Sequence, residues 1–383
     1  DAGINSTQTD YGSAYYDDKI VFASARDTGG VVRNTFKWTN KTFTNLYSAE
    51  LKADGTVGKP ERFEKKINSK FNESTPVFTK DGKTMYFTRN NFLDGKRGRD
   101  EQKNTLLKLY KADFTNGKWT NVTELPFNSN QYSTAHPALS KDEKTLYFAS
   151  DMPGTLGQSD LYSVVINTDG SFGKPQNLGA AINTEGRETF PFVSSDNELY
   201  FASDGRPGLG GLDVFVSKIN SDGTFSAVQN LGAPINSQQD DFAFIINSEK
   251  RNGFFSSNRE GGIGNDDIYR FTEIQKILCD QLKKGTVVDL ETNKIIENSK
   301  VLLLDEQFKT IGEVITATDG SYKFNVDCGK TYHVRASKQD YETKELSVVI
   351  KTETGKTRLV VPLEKRIKPI GVGTDLAKTL DIP

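Results

Sequence analysis

Histidine and cysteine, the side chains most often used in catalysis and metal binding, are rare in this sequence. The 383 residues contain two histidines, His136 and His333, and two cysteines, Cys279 and Cys328. A serine hydrolase joins a nucleophile, a histidine and an acid, and the chain has no Gly-x-Ser-x-Gly elbow to present the nucleophile. No His/Cys spacing typical of zinc and no Walker lysine occurs. We therefore expect structural histidines, no catalytic residue, no metal and no cofactor.

Carboxylates offer the remaining route to an enzyme. Acidic side chains recur just before a short apolar run in several parts of the chain, at Glu73, Glu188, Asp240 and Asp241. Two carboxylates on either side of a glycosidic bond are the machinery of glycoside hydrolysis. A glycan-cleaving enzyme that uses these acids is therefore one alternative, and a funnel that binds a glycan or a small ligand without turnover is another.

Five repeats of one unit position these residues. Each unit has an aromatic strand, a second strand that contains an aromatic residue, and a corner in which Asn follows an apolar residue. The aromatic strands are 20–24, 85–88, 146–150, 199–203 and 253–257, and the corners begin at Ile4, Ile67, Phe127, Ile182 and Ile235. The corners recur at intervals of 53–63 residues, and regular self-similarity of this kind indicates a repeat architecture.

Each unit has room for four antiparallel strands, A to D, joined by tight turns. The turns 167–170 and 220–223 contain the Asn, Asp and Gly residues that hairpins need. Four strands per unit are typical of a β-propeller blade, whereas a solenoid has shorter repeats and parallel strands. We therefore predict an all-β chain whose residues 1–274 form a five-bladed β-propeller. Its last blade would close with residues upstream of Asp1 or with residues 271–280.

The repeat resembles the TolB-like, WD40-like propeller repeat. In that family strand B follows an Asp-Gly-Lys turn and strand C contains Asp-Ile-Tyr, and residues 80–87 and 267–269 match these two patterns. The resemblance covers residues 1–272. It implies the fold and not a function, because propellers serve many roles.

The connection between strands B and C differs among the repeats. Repeats 3, 4 and 5 share an eleven-residue form, 150–160, 203–213 and 257–267, whose last Asp is expected to accept hydrogen bonds from loop N–H groups. Repeats 1 and 2 carry longer connections. Exposed aromatics with Arg are typical of interface hot spots. We therefore predict a partner-binding rim formed by Arg33, Phe36, Lys37, Trp38, Phe43, Arg89, Phe92, Lys96, Arg97 and Arg99.

Residues 275–365 contain seven short strand-like runs, which predict a small β-sandwich. The patterns at 285–289, 318–324 and 332–341 resemble the carboxypeptidase regulatory-like, transthyretin-like domain. That resemblance implies a structural module with no catalytic residue to carry over. Cys279 precedes the first of these strands and Cys328 ends the fourth. We predict a disulfide bond between them, and two buried thiols are the alternative.

Residues 366–383 are predicted to form a linker, and 374–383 resemble the lead-in to an OmpA-like peptidoglycan-binding domain. The order of propeller, regulatory-like domain and lead-in resembles OmpA-family envelope proteins of Bacteroidota. Some of those work with the type IX secretion machinery and others with outer-membrane complexes. The resemblance implies a periplasmic protein associated with the outer membrane. Its partners would be an outer-membrane protein or a secretion-complex subunit, and peptidoglycan through a domain outside this chain.

Charge and hydropathy narrow the classes of partner. The formal net charge of −2 gives no overall field that would attract nucleic acid or an anionic membrane. No apolar run approaches the roughly 20 residues of a membrane-spanning helix. Together with this absence, the resemblance to OmpA-family envelope proteins implies a non-catalytic scaffold that links an outer-membrane complex to the cell wall by protein–protein contacts.

Overall fold

All secondary-structure elements of the described chain are β-strands. The structure, a computed structural model, describes residues 1–26, 42–220, 222–274, 280–327, 330–350 and 355–366. The chain divides into two compact units, Asp1–Ile274 and Gln275–Pro383. No helix in the described ranges has the length and hydropathy needed to cross a bilayer.

Within its described residues, unit 1 contains five antiparallel sheets of three or four strands, which follow one another along the chain, and one separate two-stranded hairpin. The first two are β1 Asp10–Tyr16, β2 Lys19–Ser24, β3 Asn45–Glu50 and β4 Glu61–Arg62, then β5 Glu73–Phe78, β6 Thr84–Asn90, β9 Leu107–Thr115 and β10 Lys118–Glu124. A hairpin of β7 Phe92–Leu93 and β8 Lys96–Arg97 lies between β6 and β9.

The remaining three sheets of unit 1 repeat this plan. The third has β11 Thr134–Leu139, β12 Thr145–Ser150, β13 Asp160–Val165 and β14 Gln176–Asn177, and the fourth has β15 Glu188–Val193, β16 Glu198–Ser203, β17 Asp213–Lys218 and β18 Gln229–Asn230. The fifth, within the described residues, has β19 Asp241–Asn247, β20 Asn252–Ser257 and β21 Asp267–Thr272.

The first strand of each sheet lies at the centre of a closed ring. β1 contacts β5, β5 contacts β11, β11 contacts β15, β15 contacts β19, and β19 contacts β1 again. Each sheet is therefore covered on both faces by its neighbours. In β2, Ile20 and Phe22 pack toward the fifth sheet while Val21 packs toward the second. Burial on both faces explains why the aromatic strands are continuous apolar runs, and the ring gives unit 1 a propeller-like architecture.

The first and last repeats are joined by the N-terminal segment. Ala2 N donates to Ile268 O at 2.9 Å, and Asp10 N donates to Asp266 O at 2.8 Å. Asn5 exchanges two further hydrogen bonds with Ile268. Neither of the two closures expected from the sequence included this contact.

A β-bulge interrupts every inner strand at the same point. The bulged residue has a left-handed φ, between 42° and 70°, in all five sheets. A left-handed φ costs a residue with a Cβ roughly 1–2 kcal/mol, so its recurrence marks a feature that the ring requires. The five bulged residues are Gly12, Thr75, His136, Phe190 and Ala243.

Unit 2 consists of two sheets that share one apolar core. Its strands are β22 Asp280–Asp289, β23 Lys300–Leu304, β24 Thr310–Ile315, β25 Ser321–Asp327, β26 Thr331–Ser337, β27 Lys344–Val349 and β28 Gly355–Leu363. One sheet has the order β25-β22-β28, with β22 parallel to β28, and the other has the order β24-β23-β26-β27. Val287, Leu303, Val334 and Val361 belong to the common core, as expected of a β-sandwich.

Candidate functional site

Three of the acids that begin the inner strands are buried and paired with arginine. The pairs are Arg26–Asp10 at 2.7 Å, Arg89–Glu73 at 2.9 Å and Arg259–Asp241 at 2.6 Å. Each guanidinium also donates to the carbonyl of the apolar corner residue. It lies 4.9–5.3 Å from the centroids of two aromatic rings. The buried carboxylates are compatible with the folded ring because each is paired with a cation and hydrogen-bonded.

In the fourth and fifth repeats, hydroxyl residues of the corners bind the acid that begins the inner strand. Thr184 donates to Glu188 through its backbone N at 2.7 Å and its Oγ1 at 2.6 Å. Ser237 makes the equivalent bonds to Asp241, and Asp240 accepts a loop N–H at 2.9 Å. These carboxylates hold the corners of the ring together. The carboxylates on which the glycan-cleaving alternative was based thus make internal hydrogen bonds.

Glu73 has an unusual protonation equilibrium. Burial raises its pKa to about 7, although the Arg89 guanidinium acts in the opposite direction. Loss of hydration disfavours the charged carboxylate more than one neighbouring cation favours it. Glu73 therefore changes its charge near neutral pH inside the folded ring.

Arg89, expected on the partner-binding rim, is instead buried, with 3% of its surface exposed. Its guanidinium binds Glu73 and the Ile67 carbonyl and lies over Phe87 and Tyr110. Its hydrogen bonds are directed into the corner of the second repeat. Arg89 is thus a structural residue and is removed from the predicted partner-binding set.

The eleven-residue connections of repeats 3, 4 and 5 confirm the predicted Asp contacts. The bonds are Leu156 N to Asp160 at 2.7 Å, Leu209 N to Asp213 at 2.9 Å and Ile263 N to Asp267 at 2.5 Å. The three donating residues are aliphatic and expose 51–53% of their surface. Three equivalent loops therefore present an aliphatic side chain at the rim where strand B leaves and strand C enters.

A cluster of three aromatic rings lies where repeats 1 and 2 meet. The Phe71 ring centroid is 5.6 Å from that of Phe43 and 4.9 Å from that of Phe92, and all three side chains are half-buried. Lys70 Nζ lies 5.2 Å from the Phe92 centroid, and the Arg97 guanidinium lies 5.4 Å from the Phe71 centroid. We call these five residues the aromatic–cation patch.

The patch contains three of the predicted rim residues, Phe43, Phe92 and Arg97. Two more, Lys96 and Arg99, are exposed next to Arg97 in the same connection. The other predicted residues lie outside the described residues and stay predictions, as does the disulfide: Arg33, Phe36, Lys37, Trp38, Cys279 and Cys328.

Lys70 and Phe71 were missed by sequence reasoning, although a signal existed. Phe71 stands four residues after Ile67, which begins the second corner. The residues at the same distance in the other corners are polar or glycine: Gln8, Gln131, Gly186 and Gln239. An aromatic residue at a position that is otherwise polar indicates a local function.

The two histidines make internal contacts. His136 Nδ1 lies 3.1 Å from Thr75 Oγ1, and its ring stacks on Phe190 at 3.8 Å. Burial lowers the pKa of His136 to about 3, so the imidazole is neutral at ordinary pH. His333 Nδ1 lies 2.8 Å from Ser347 Oγ. Across the described ranges, no three or more His, Cys, Asp or Glu side chains form a group that could hold a metal ion.

Comparison with known proteins identifies part of the chain. Residues 284–364 match the family model of the Carboxypeptidase regulatory-like domain, so unit 2 contains a domain of that family, as its sequence pattern indicated. No curated protein matches the chain. The propeller-like class of unit 1 follows from its ring of sheets.

Solved structures with limited similarity include an arabinofuranosidase, an endo-arabinanase and a protein assigned as TolB. An alpha-L-arabinofuranosidase from Lactobacillus brevis is 11% identical, with 70% of this chain and 93% of that chain covered and a TM-score of 0.46. The GH43 endo-arabinanase from Bacillus licheniformis is 10% identical, with 72% of this chain and 97% of that chain covered and a TM-score of 0.42. A protein assigned as TolB from Agrobacterium tumefaciens is 13% identical, with 84% of this chain and 90% of that chain covered and a TM-score of 0.40. At this level of similarity they carry no information on activity.

Proposed function

We propose that the chain is a non-catalytic scaffold that binds a protein partner through the rim of unit 1 formed by the B–C connections. The aromatic–cation patch carries this proposal, because three half-buried rings are held together beside two cations. Aromatic and arginine side chains dominate the binding energy of protein interfaces. Half-buried rings also retain apolar surface that a partner can cover.

Exposed aliphatic side chains extend this surface around the ring. In an up-and-down sheet the B–C connections and the corners between repeats emerge at the same end. Leu156, Leu209 and Ile263, each about half exposed, therefore share the rim with the patch. Single exposed apolar residues are common on protein surfaces. Their recurrence at equivalent positions gives every repeat an apolar contribution to one rim.

The charge around the patch favours an acidic partner. Segments 64–70 and 94–103 together contain seven Lys or Arg and four Asp or Glu. All seven cations are exposed: Lys65, Lys66, Lys70, Lys96, Arg97, Arg99 and Lys103. This excess is local, since the whole chain has a net charge of −2. A partner with acidic side chains around an apolar centre would be attracted and oriented by it.

The cellular setting of this proposal rests on the sequence resemblance to OmpA-family envelope proteins. With each ring sheet counted as one blade, unit 1 is a five-bladed propeller. We place the protein in the periplasm at the outer membrane, in contact with an outer-membrane or type IX secretion subunit. Peptidoglycan would be bound by an OmpA-like domain outside this chain. A Cys279–Cys328 disulfide fits that oxidising compartment.

Quantitative co-purification tests the scaffold. Tagged protein is recovered from envelope membranes and the bound proteins are quantified for the wild type and for a Phe71→Ala/Arg97→Ala variant. We expect recovery of the partner to fall about tenfold or more, because truncation of a hot-spot residue costs about 2 kcal/mol or more. Shortening both long connections to the eleven-residue form should have the same effect and leave the fold intact, since three repeats already use that form.

Val165→Ala is the matched control. Val165 is 54% exposed at the end of β13, beside the turn at the opposite rim. It should leave recovery of the partner unchanged. Unchanged recovery with the folded patch variant would contradict the assignment of the rim. Turnover of muropeptides by the purified protein would contradict a non-catalytic function and support a glycan-cleaving enzyme.

A further inference from the structure

A cavity of about 270 Å³ lies on the axis of unit 1. It extends along the inner strands from the bulged residues to the turns that follow these strands, where Lys141 and Ser195 line it. Toward the other rim, the rings of Tyr11, Phe190 and Phe242 pack together with centroids 4.8–6.3 Å apart. The cavity therefore opens on the rim opposite the aromatic–cation patch.

The cavity walls are mainly apolar. Four inner strands place Pro76, Pro137, Pro191 and Phe244 directly after the bulge. The next wall position is Ala14, Val77, Ala138, Phe192 or Ile245. Apolar walls with few polar groups are typical of small-molecule sites.

Ser13 breaks the apolar pattern of the wall. It occupies the position that proline or phenylalanine fills in the other four inner strands. Ser13 lines the cavity with only 7% of its surface exposed, and its Oγ has no hydrogen-bond partner among the described residues. An unpaired buried hydroxyl is unfavourable. A ligand that bonded to this oxygen would remove the penalty.

The charges around the cavity are at its mouth. Lys80, Lys141 and Glu143 belong to the turns, where Lys80 Nζ donates to Lys141 O at 2.6 Å and Lys80 N donates to Glu143 at 2.5 Å. At the inner end, Thr75 and the neutral His136 line the cavity. The inner part thus favours an uncharged group, because an ion there would have no counter-charge.

We propose that this cavity binds a small, uncharged molecule with an apolar body and one hydroxyl or carbonyl group that bonds to Ser13 Oγ. An apolar cavity of about 150 Å³ binds benzene in another protein. The volume of about 270 Å³ here therefore accommodates a molecule somewhat larger than one aromatic ring. The site is on the rim opposite the patch, so it is independent of the scaffold function.

Phenethyl alcohol and ethylbenzene are suitable probes, because they differ in one hydroxyl group. Ligand-observed NMR titration of the complete chain should detect binding of both. Ser13→Ala should weaken the binding of phenethyl alcohol about tenfold and leave the affinity for ethylbenzene unchanged. Ser13→Pro should do the same, since proline occupies the equivalent position in three inner strands. Ser195→Ala, at the mouth, is the control and should change neither affinity.

Val77→Phe tests the location of the site. Phe192 occupies the equivalent position in the fourth sheet, so the ring already accommodates this side chain there. The variant fills the cavity and should abolish binding of both probes. Failure of both probes to bind the wild type, or their undiminished binding to folded Val77→Phe, would overturn the proposal. Equal loss of both probes in Ser13→Ala would overturn the assigned hydrogen bond.

Discussion

Asn5 and Ile268, 263 positions apart in sequence, exchange two hydrogen bonds across the closure of the ring. Asn5 Nδ2 donates to Ile268 O at 3.0 Å, and Ile268 N donates to Asn5 Oδ1 at 2.8 Å. The same exchange joins the corner Asn to strand C inside the other repeats, in the pairs Asn68–Leu46, Asn128–Leu109, Asn183–Leu161 and Asn236–Val214. An amide side chain is required because it offers a donor and an acceptor together.

Asn5→Ala should therefore destabilise the whole ring. The substitution leaves the N–H of Ile268 without its partner, and it removes one of the two hydrogen bonds to the Ile268 carbonyl, which Ala2 N also binds. An unsatisfied buried group costs roughly 1–3 kcal/mol. We expect a loss of that size in the free energy of unfolding, measured by urea denaturation. Asn167→Ala removes an exposed turn contact and should cost much less. Equal losses in the two variants would contradict the closure described here.

The third repeat replaces the buried ion pair by neutral residues. Thr134 begins its inner strand where Asp241 begins that of the fifth repeat. Met152 stands two residues after Ser150, as Arg259 does after Ser257. Met152 and Thr134 are both buried. The acid and the arginine are thus absent together, which avoids leaving one charge buried alone.

Transfer of this neutral pair to the fifth repeat should show strong coupling. Arg259→Met should cost roughly 3–5 kcal/mol, because it leaves the buried Asp241 carboxylate without its cation. Asp241→Thr should cost less, because the Arg259 side chain is 22% exposed and keeps contact with water. The double variant should be more stable than the sum of the single losses predicts. Equilibrium unfolding of the four proteins gives the coupling energy directly. Additive losses would show that the ion pair does not act as a unit.

Much of the strand order could be predicted because sheets covered on both faces leave continuous aromatic runs in the sequence. The Asp contacts of the eleven-residue loops could also be predicted, since three loops repeat them. The structural role of Arg89 could not be predicted. In the sheet register Arg89 occupies the position that Ser24 has in the first sheet, yet its guanidinium makes the ion pair that Arg26 makes there. A long side chain reached the same corner from a position two residues earlier, which sequence alignment does not show.

Glu73→Gln should change how stability depends on pH. The folded-state pKa of Glu73 is about 7 against an ordinary value of 4.5. Between these values the unfolded chain has released a proton that the folded chain keeps, so this group lowers stability as pH rises from 4.5 to 7. The slope reaches about 1.4 kcal/mol per pH unit. Urea denaturation should show that Glu73→Gln removes it, whereas Glu185→Gln, at an exposed site, should not.

His136→Phe should reveal the opposite dependence. Its pKa falls from 6.5 to about 3 on folding, so the unfolded chain binds a proton that the folded chain rejects. This group therefore lowers stability as pH falls from 6.5 toward 3, and the loss is absent above 6.5. Phe190 occupies the equivalent bulge with a φ of 49°, so phenylalanine is compatible with the site.

Between pH 4.5 and 6.5 the contributions of His136 and Glu73 oppose each other, and the wild type should show the smaller net slope. Relative to the wild type, the stability of His136→Phe should fall more steeply as pH rises through this window, because the contribution of Glu73 is no longer opposed by that of His136. The stability of Glu73→Gln should rise more steeply with pH, because the contribution of His136 is no longer opposed by that of Glu73. Deviations of the same sign in both variants would contradict the assigned protonation states.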